Sequence, residues 1–224
     1  MRLNRIYRIG LSQKLLFLLR HQHHISYFRM KTRIFFLLAF LMLLQAQIHV
    51  FSRPTVLISY YSITGNTRQM AEAIAEGANA AGKVFVVVKS VGETTHADLL
   101  AADAIILGSP VYNANVAPAV QGFIASWPFE GAHLRNKIGA AFVTAGGISA
   151  GEELAQMSIL HSMLIFGMIV VGGEDWKSPF GASAVVNEVP FQTQGLVGAQ
   201  FLDKGRGLGR RVAHLTEMLH KNEK

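Results

Sequence analysis

The sequence predicts an α/β domain built on a doubly wound, five-stranded parallel sheet with helices on both faces. From about residue 54 onward, short apolar runs alternate with segments of helical periodicity. The apolar runs are continuous, which is typical of strands buried on both faces in a parallel sheet. The β-α alternation places helices on both faces of that sheet. The chain of 224 residues, half of them hydrophobic, is long enough to bury such a core.

The elements follow in order along the chain. Strands are predicted at 55–60, 84–88, 104–108, 138–144 and 168–171, and helices at 67–81, 98–102, 116–126, 151–166 and 208–220. Met70, Ile74 and Ala78 recur at helical spacing, and Gly82 then ends that helix. In doubly wound folds, ligands bind beyond the carboxyl ends of the strands. The stretches after the first, third and fourth strands are therefore the candidate site.

Charge is distributed unevenly between the two parts of the chain. Residues 1–53 hold nine Lys or Arg and no acidic residue, whereas the rest of the chain holds 12 basic and 14 acidic residues. The net charge of +7 therefore belongs to the N-terminal segment, and the body carries about −2. A nucleic-acid groove needs basic residues clustered on the body, so we expect no nucleic-acid partner. The absence of Cys excludes disulfides, thiolate metal sites and Cys nucleophiles, and we expect no metal.

Residues 1–53 form a basic N-terminal segment that precedes the domain at 54–224. The apolar run 34–44 follows Lys31 and Arg33, which is the layout of a secretory signal. The run is shorter than the roughly 20 residues of a spanning helix, although extension over 34–51 would allow membrane association. Because the basic residues precede the run, we expect the body to be exported or anchored outside the cytoplasm. The alternative is that this run is a buried helix of the domain in a cytoplasmic protein. Separately, we hypothesise that translation begins at Met30, because residues 30–33 would themselves make a normal signal start.

The first loop, after the first strand, has the composition of a phosphate site. Its residues are Ser62, Ile63, Thr64, Gly65, Asn66 and Thr67. A loop that opens a helix directs backbone N–H groups and the positive end of the helix dipole at an anion. The loop lacks the Lys of a P-loop and the three glycines of a dinucleotide fingerprint. Hydroxyl and amide donors without a cation predict a monophosphate, the alternative being a polar helix cap.

The same residues carry a family resemblance. The Ser-x-Thr-Gly-Asn-Thr pattern at 62–67 resembles the FMN phosphate loop of the flavodoxin superfamily. The second loop, at 108–115, resembles the first isoalloxazine loop of the flavodoxin-like NAD(P)H:quinone oxidoreductases, the tryptophan-repressor-binding-protein type. The third loop, at 144–153, resembles the Gly-rich stretch of that family, and 163–172 and 178–183 resemble its next segments. The resemblance covers about residues 55 to 219.

The resemblance implies a flavodoxin-like sheet of strand order 2-1-3-4-5 and FMN as cofactor. The isoalloxazine ring would be held by Ser109, Pro110, Val111, Tyr112 and Asn113 of the second loop and by Thr144, Ala145, Gly146 and Gly147 of the third. An apolar wall at 110–112 and the bare backbone of the two glycines suit a flat ring. The alternatives are a surface aromatic at Tyr112 and a plain turn at the glycines.

The implied activity is NAD(P)H:quinone oxidoreduction by hydride transfer through FMN. The cofactor carries this chemistry, so we assign no catalytic side chain. The alternatives are a flavodoxin-type electron carrier without substrate turnover and a binding module that has lost its flavin. A homo-dimer or homo-tetramer is also implied, with contacts near Phe180 and Phe191. Phe166 stands where the family has a His near the neighbouring subunit's flavin, and an exported body would need another donor, such as a membrane quinol.

Overall fold

The computed structural model describes residues 53–192 and 195–222, and a parallel sheet lies at its centre. The predictions for residues 1–52, including the signal-like run, lie outside the described residues. The described residues all belong to one compact unit that begins at Arg53. Among them, no helix combines the length and apolar character that crossing a membrane requires.

The elements alternate along the chain as the sequence predicts. In order they are β1 (Thr55–Tyr60), α1 (Asn66–Ala80), β2 (Phe85–Ser90), α2 (His96–Ala101), β3 (Ala104–Tyr112), β4 (Asn115–Val116), α3 (Pro118–Ala125), a 3₁₀ turn (Glu130–Ala132), β5 (Ile138–Ala145), α4 (Glu152–Ile165), β6 (Ile169–Val170), β7 (Ala182–Val185) and α5 (Ala199–Asn222). Gly82, with φ of 89°, follows α1 and ends it as predicted.

The five predicted strands lie side by side in the predicted order. The sheet runs β2-β1-β3-β5-β6, where β5 and β6 correspond to the fourth and fifth predicted strands. All these pairs are parallel, and Val56 of β1 is in register with both Val86 and Ala104. Every residue of β5 is buried. This confirms the doubly wound α/β, flavodoxin-like fold class, to which the structure adds the short strands β4 and β7.

The edge beside β5 is the main departure from the predicted sheet. Instead of one strand at 168–171, two short strands pair with β5: β6 with Ile138 and Gly139, and β7 with residues 142–145. Residues 171–181 connect them. At the end of this connection Gly181 has φ of 120°, and a methyl group there would overlap the carbonyl oxygen of Ala141. Glycine is required for β7 to return this closely to β5.

Two hydrophobic clusters cover the two faces of the sheet. Val56 and Ile58 of β1 pack with α1 and α5 on one face, whereas Leu57 packs with α2, α3 and α4 on the other. This alternation follows from the two-residue period of a strand. The ring of Phe142 occupies the space that a side chain at Gly108 would need. Both faces of the central strands are therefore filled, and their carboxyl ends are fixed relative to one another.

Helices α1 and α5 approach each other at backbone distance through glycines. A methyl group at Gly77 would overlap the carbonyl oxygen of Arg206, and one at Gly209 would overlap the carbonyl oxygen of Ile74. The predicted C-terminal helix, 208–220, begins nine residues late, since α5 begins at Ala199. Three glycines at 205, 207 and 209 weaken the helical signal because glycine is a poor helix former. Here tertiary packing against α1 outweighs that propensity.

Candidate functional site

The first loop connects β1 to α1 at the carboxyl end of the sheet. Gly65 is the N-cap of α1 and has a left-handed backbone, with φ of 89° and ψ of −16°. No side chain caps the helix, and its first turn holds no acidic residue. The first N–H groups of a helix have no partner within it, and the helix dipole makes this end positive. The loop therefore presents a ready site for an anion.

Ser62 gives the most direct sign of a missing anionic partner. Its hydroxyl oxygen is buried and has no hydrogen-bond partner among the described residues. A buried polar group without a partner costs about 1–3 kcal/mol, which a phosphate oxygen at this position would offset. Asn66 donates its side-chain amide to the Thr64 hydroxyl at 3.2 Å. Ile63 is exposed and offers the site only its backbone.

Thr67 and Thr144 connect the first loop to the third. Their hydroxyl oxygens lie 2.8 Å apart in a buried hydrogen bond. Thr67 is at the start of α1, and Thr144 is at the end of β5. The two predicted residues thus come together, and their hydroxyls bind each other. This hydrogen bond fixes the distance between the first loop and the third loop.

The second loop is a tight hairpin at the end of β3. The strand runs four residues beyond its predicted end and turns back into β4, with Tyr112 opposite Asn115. The two residues at the turn, Asn113 and Ala114, have φ of 50° and 62°. Positive φ at both central positions is the property of a type I′ hairpin. Tyr112 and Asn113 are exposed at this turn, where a ring could contact them.

Ser109 is placed differently from its neighbours in the second loop. It is fully buried, and its hydroxyl accepts the N–H of Ala117 at 2.9 Å and donates to the carbonyl oxygen of Pro110 at 2.7 Å. This hydroxyl is therefore used to hold the start of α3. Pro110 and Val111 are half-buried, and the apolar wall that they were predicted to form stays a prediction.

The third loop follows β5 and touches the second. Thr144 and Ala145 are buried at the end of the strand, while Gly146 is exposed and Gly147 is half-buried. Gly151 caps α4 with φ of 98°, and a methyl group there would lie 2.5 Å from Cα of Ala114. The structure therefore brings all three predicted loops to one edge of the sheet, with the second and third in contact.

A segment that the sequence did not assign to the site runs beside the third loop. Val186 and Asn187 donate their N–H groups to the carbonyl oxygens of Ala145 and Gly146, at 3.0 and 3.1 Å. Glu188 then accepts the N–H of Ile148 through Oε2 at 2.6 Å. This segment continues from β7, so the unpredicted strand is what carries Glu188 to the site. No motif in the sequence indicates this placement.

A cleft of about 690 Å³ adjoins the phosphate loop. It is bordered by that loop, by the connection from β2 to α2 and by α3, through Tyr60, Tyr61, Ser62, Arg68, Thr94 and Phe123 among others. None of the predicted ring residues lines it. Ser90, which borders the cleft, donates hydrogen bonds to Glu93 and holds the pKa of that carboxyl below its ordinary value. The cleft therefore extends the site on the side away from the ring loops.

Two further expectations concern metals and Phe166. In residues 53–192 and 195–222, no group of three His, Cys, Asp or Glu side chains could hold a metal ion.

Phe166 ends α4, and its ring packs against Trp127 and Phe129 with centroids 5.4 and 5.6 Å away. Gly167, the residue after Phe166, accepts the N–H of Asn136 through its carbonyl oxygen, and Asn136 lies just before β5. Phe166 thus lies at the amino edge, opposite the three loops.

The donor set fits a flavin mononucleotide: an uncapped helix start, a buried hydroxyl without a partner, and two ring loops held in register. A comparison with protein families agrees, because the model of the NADPH-dependent FMN reductase family matches residues 54–182. This chain belongs to that family. Like others of the FMN reductase family, it uses FMN as cofactor and is a flavodoxin-like oxidoreductase.

The relatives of this FMN reductase family member include both NAD(P)H dehydrogenases (quinone) and flavodoxins. An NAD(P)H dehydrogenase (quinone) from Azorhizobium caulinodans is 38% identical over 177 residues, which span 68% of this chain and 84% of that protein. A flavodoxin from Aquifex aeolicus is 37% identical over 166 residues, spanning 70% and 84% of the two chains. The solved structure of a WrbA-like flavodoxin from Agrobacterium tumefaciens matches with a TM-score of 0.61 and 23% identity, covering 75% and 99%. That last similarity supports the fold.

Proposed function

We propose that this protein is an NAD(P)H:quinone oxidoreductase that works through bound FMN. The observation that carries the proposal is the apolar rim of the ring loops. Tyr112 of the second loop is 39% exposed, Ile148 of the third is 50% exposed, and Val189 beside Glu188 is 75% exposed. A flat, apolar acceptor such as a quinone can pack against such side chains. The name of the Azorhizobium relative supports the same activity.

In this proposal the chain binds and orients the reactants, and FMN, when bound, supplies the two-electron chemistry between NAD(P)H and the quinone. Ser62 and the start of α1 hold the phosphate. The Thr67–Thr144 hydrogen bond fixes the ring loop relative to that phosphate. Pro110 and Val111 would pack against the ring and exclude water there. No side chain is assigned a proton-transfer role.

Steady-state kinetics of the full chain loaded with FMN tests this activity. We expect oxidation of NADH or NADPH that depends on added benzoquinone and on bound FMN. The preparation without FMN is the control for direct reaction between the two substrates. If neither NADH nor NADPH bleaches the absorbance of the bound flavin, the proposal is contradicted.

The second candidate is an electron carrier, which the Aquifex flavodoxin at 37% identity favours. Such a carrier exchanges electrons with protein partners and does not oxidise NAD(P)H itself. The near-neutral body, with 12 basic and 14 acidic residues, favours the enzyme over a carrier that docks through strong negative charge. Slow flavin reduction by NAD(P)H together with fast reduction by a reductase protein would support the carrier.

We also propose that the protein is exported, or anchored through residues 34–51, with its body outside the cytoplasm. The basic residues before the apolar run support this orientation. Fractionation of native cells and the N-terminal mass of the mature protein test it, and the mass also distinguishes Met1 from Met30. A cytoplasmic protein with an intact N-terminus would contradict the proposal. An exported enzyme would take its electrons from a membrane quinol or another flavoprotein.

The proposed assembly is a homo-dimer or homo-tetramer. Of the two aromatic residues that the sequence suggests as contacts, Phe180 is 37% exposed and remains a candidate. The ring of Phe191 packs edge-on against Phe201 of α5, with centroids 5.2 Å apart, so it serves the fold of its own chain. Sedimentation of the FMN-loaded protein and of its Phe180→Ser variant tests whether Phe180 lies between subunits.

A further inference from the structure

Glu188 places a negative charge directly on the third loop. Its Oε2 accepts the N–H of Ile148 at 2.6 Å. The same oxygen lies 2.7 Å from the position that a Cβ at Gly147 would take, so the carboxylate packs on the open side of that glycine. Gly147 is one of the residues predicted to contact the flavin ring. The carboxylate and the ring therefore share one short loop.

Two other carboxylates lie where the same loop leads into α4. Glu152 accepts the N–H of Ser149 through Oε1 at 3.2 Å, and Glu153 is exposed in the first turn of α4. Within residues 53–192 and 195–222, none of these carboxylates, nor Glu188, forms an ion pair with Lys, Arg or His. The ring loop thus carries concentrated negative charge that no basic side chain neutralises at contact distance.

We propose that Glu188 lowers the reduction potential of the flavin held by this loop and so makes it a stronger reductant. Two-electron reduction of FMN with uptake of one proton adds one negative charge to the ring. A neighbouring carboxylate repels that charge and favours the oxidised form. Glu188 acts through the Ile148 N–H and its own charge, and is therefore a positioning residue. The inference rests on the FMN site and not on the identity of the acceptor.

The variant Glu188→Gln separates charge from shape. Its amide oxygen can still accept the Ile148 N–H, so the loop keeps its hydrogen bond while the charge is removed. Glu130→Gln is the matched control, because Glu130 is exposed in the turn between α3 and β5, away from the three loops. The potential of each full-length, FMN-loaded protein is measured by equilibrium titration against a reference dye. The dissociation constant of oxidised FMN is measured in parallel.

For Glu188→Gln we expect the affinity for reduced FMN to rise about tenfold relative to oxidised FMN. For a two-electron couple, a tenfold change raises the midpoint potential by about 30 mV. Glu188→Asp keeps the charge and should keep the original potential. Glu130→Gln should leave the potential unchanged.

Three outcomes would overturn the inference. The first is an unchanged potential in Glu188→Gln, and the second is an equal shift in Glu130→Gln. The third is loss of oxidised FMN from Glu188→Gln, which would make the residue a support of the loop and not a source of charge. A failure of quinone reduction would count against the proposed activity alone, since the potential is measured without an acceptor.

Discussion

The hydroxyl groups of Thr67 and Thr144 lie 2.8 Å apart, although 77 residues separate them in the chain. One stands at the start of α1, directly after the first loop, and the other is near the end of β5, which leads to the third loop. The first and third loops are therefore joined by a buried hydrogen bond. Both hydroxyls are almost fully buried, so neither can turn to water if its partner is lost.

A double-mutant cycle on this pair should show strong coupling. Thr144→Val leaves the Thr67 hydroxyl buried without a partner, which we expect to cost about 1–3 kcal/mol of unfolding free energy. Thr67→Val should cost a similar amount. The double variant replaces both hydroxyls by apolar groups of the same shape and should cost less than the sum. Urea unfolding of the four FMN-free proteins measures this, and additive losses would contradict a direct bond.

Ser62→Ala should separate cofactor affinity from stability. The Ser62 hydroxyl has no partner in the FMN-free protein, so its removal should leave the unfolding free energy unchanged or slightly raised. The affinity for FMN should fall about tenfold to a hundredfold, because a hydrogen bond to a charged phosphate contributes about 1.5–3 kcal/mol. Fluorescence titration with FMN and urea unfolding give the two quantities.

Ser162→Ala is the control for Ser62→Ala. Ser162 is half-buried on α4, and its hydroxyl donates to the carbonyl oxygen of Ser158 in the same helix. We expect the FMN affinity of the Ser162→Ala variant to match that of the unmodified protein. Equal FMN affinity in Ser62→Ala and Ser162→Ala would remove Ser62 from the phosphate site.

Gly209→Ala and Gly122→Ala should change stability in opposite directions. The methyl group at 209 would overlap the carbonyl oxygen of Ile74 and push α5 away from α1. We expect a loss of about 1–3 kcal/mol, as for overpacking in a core. Gly122 lies in α3 with open space around it, so alanine there should gain about 0.5–1 kcal/mol from helix propensity. Thermal or urea unfolding measures both, and equal signs would contradict the close helix contact.

Stability should fall in acid partly because of Asp98. Hydrogen bonds from Lys89, at 2.7 Å, and from Thr95 at the start of α2 lower the pKa of Asp98 to about 2. A carboxyl group whose pKa falls on folding stabilises the protein above its unfolded pKa of about 4. That contribution is lost as the pH falls from 4 towards 2. Since solvent reaches part of this side chain, we expect about 1 kcal/mol.

The change to Asp98→Asn tests this contribution. The variant should be less stable than the unmodified protein at pH 6 and should approach it near pH 2. Urea midpoints over pH 2–6 give the comparison. A constant difference between the two proteins over that range would show that the charge of Asp98 is not the cause.

The order of the sheet and the position of the first loop at the start of α1 could be predicted because both depend on local sequence. The run at 55–60 is mostly apolar, and a polar loop follows it directly before a helix. Ser109 shows the limit of such reasoning. A serine hydroxyl at this position could bind a ligand. In the fold, however, it accepts the N–H of Ala117 at 2.9 Å and so stabilises the start of α3.

Glu188 could not be predicted because its place depends on a strand pairing formed by tertiary contacts. Residues 182–185 are short and flanked by Gly181 and an irregular segment, so they give a weak strand signal. Only their pairing with residues 142–145 carries the chain to the third loop. In the same way, α5 extends back to Ala199 because α1 offers a surface that accepts its glycines.

The division of the sheet edge between β6 and β7 has a consequence for how this protein meets other copies of itself. An open sheet edge can recruit a strand from another molecule and so begin aggregation. Here β6 pairs with β5 through two residues and β7 through four, and the connection 171–181 separates them. This edge therefore offers no continuous template for such recruitment. The same interruption that brings Glu188 to the third loop therefore also makes this edge a poor template for pairing with another copy.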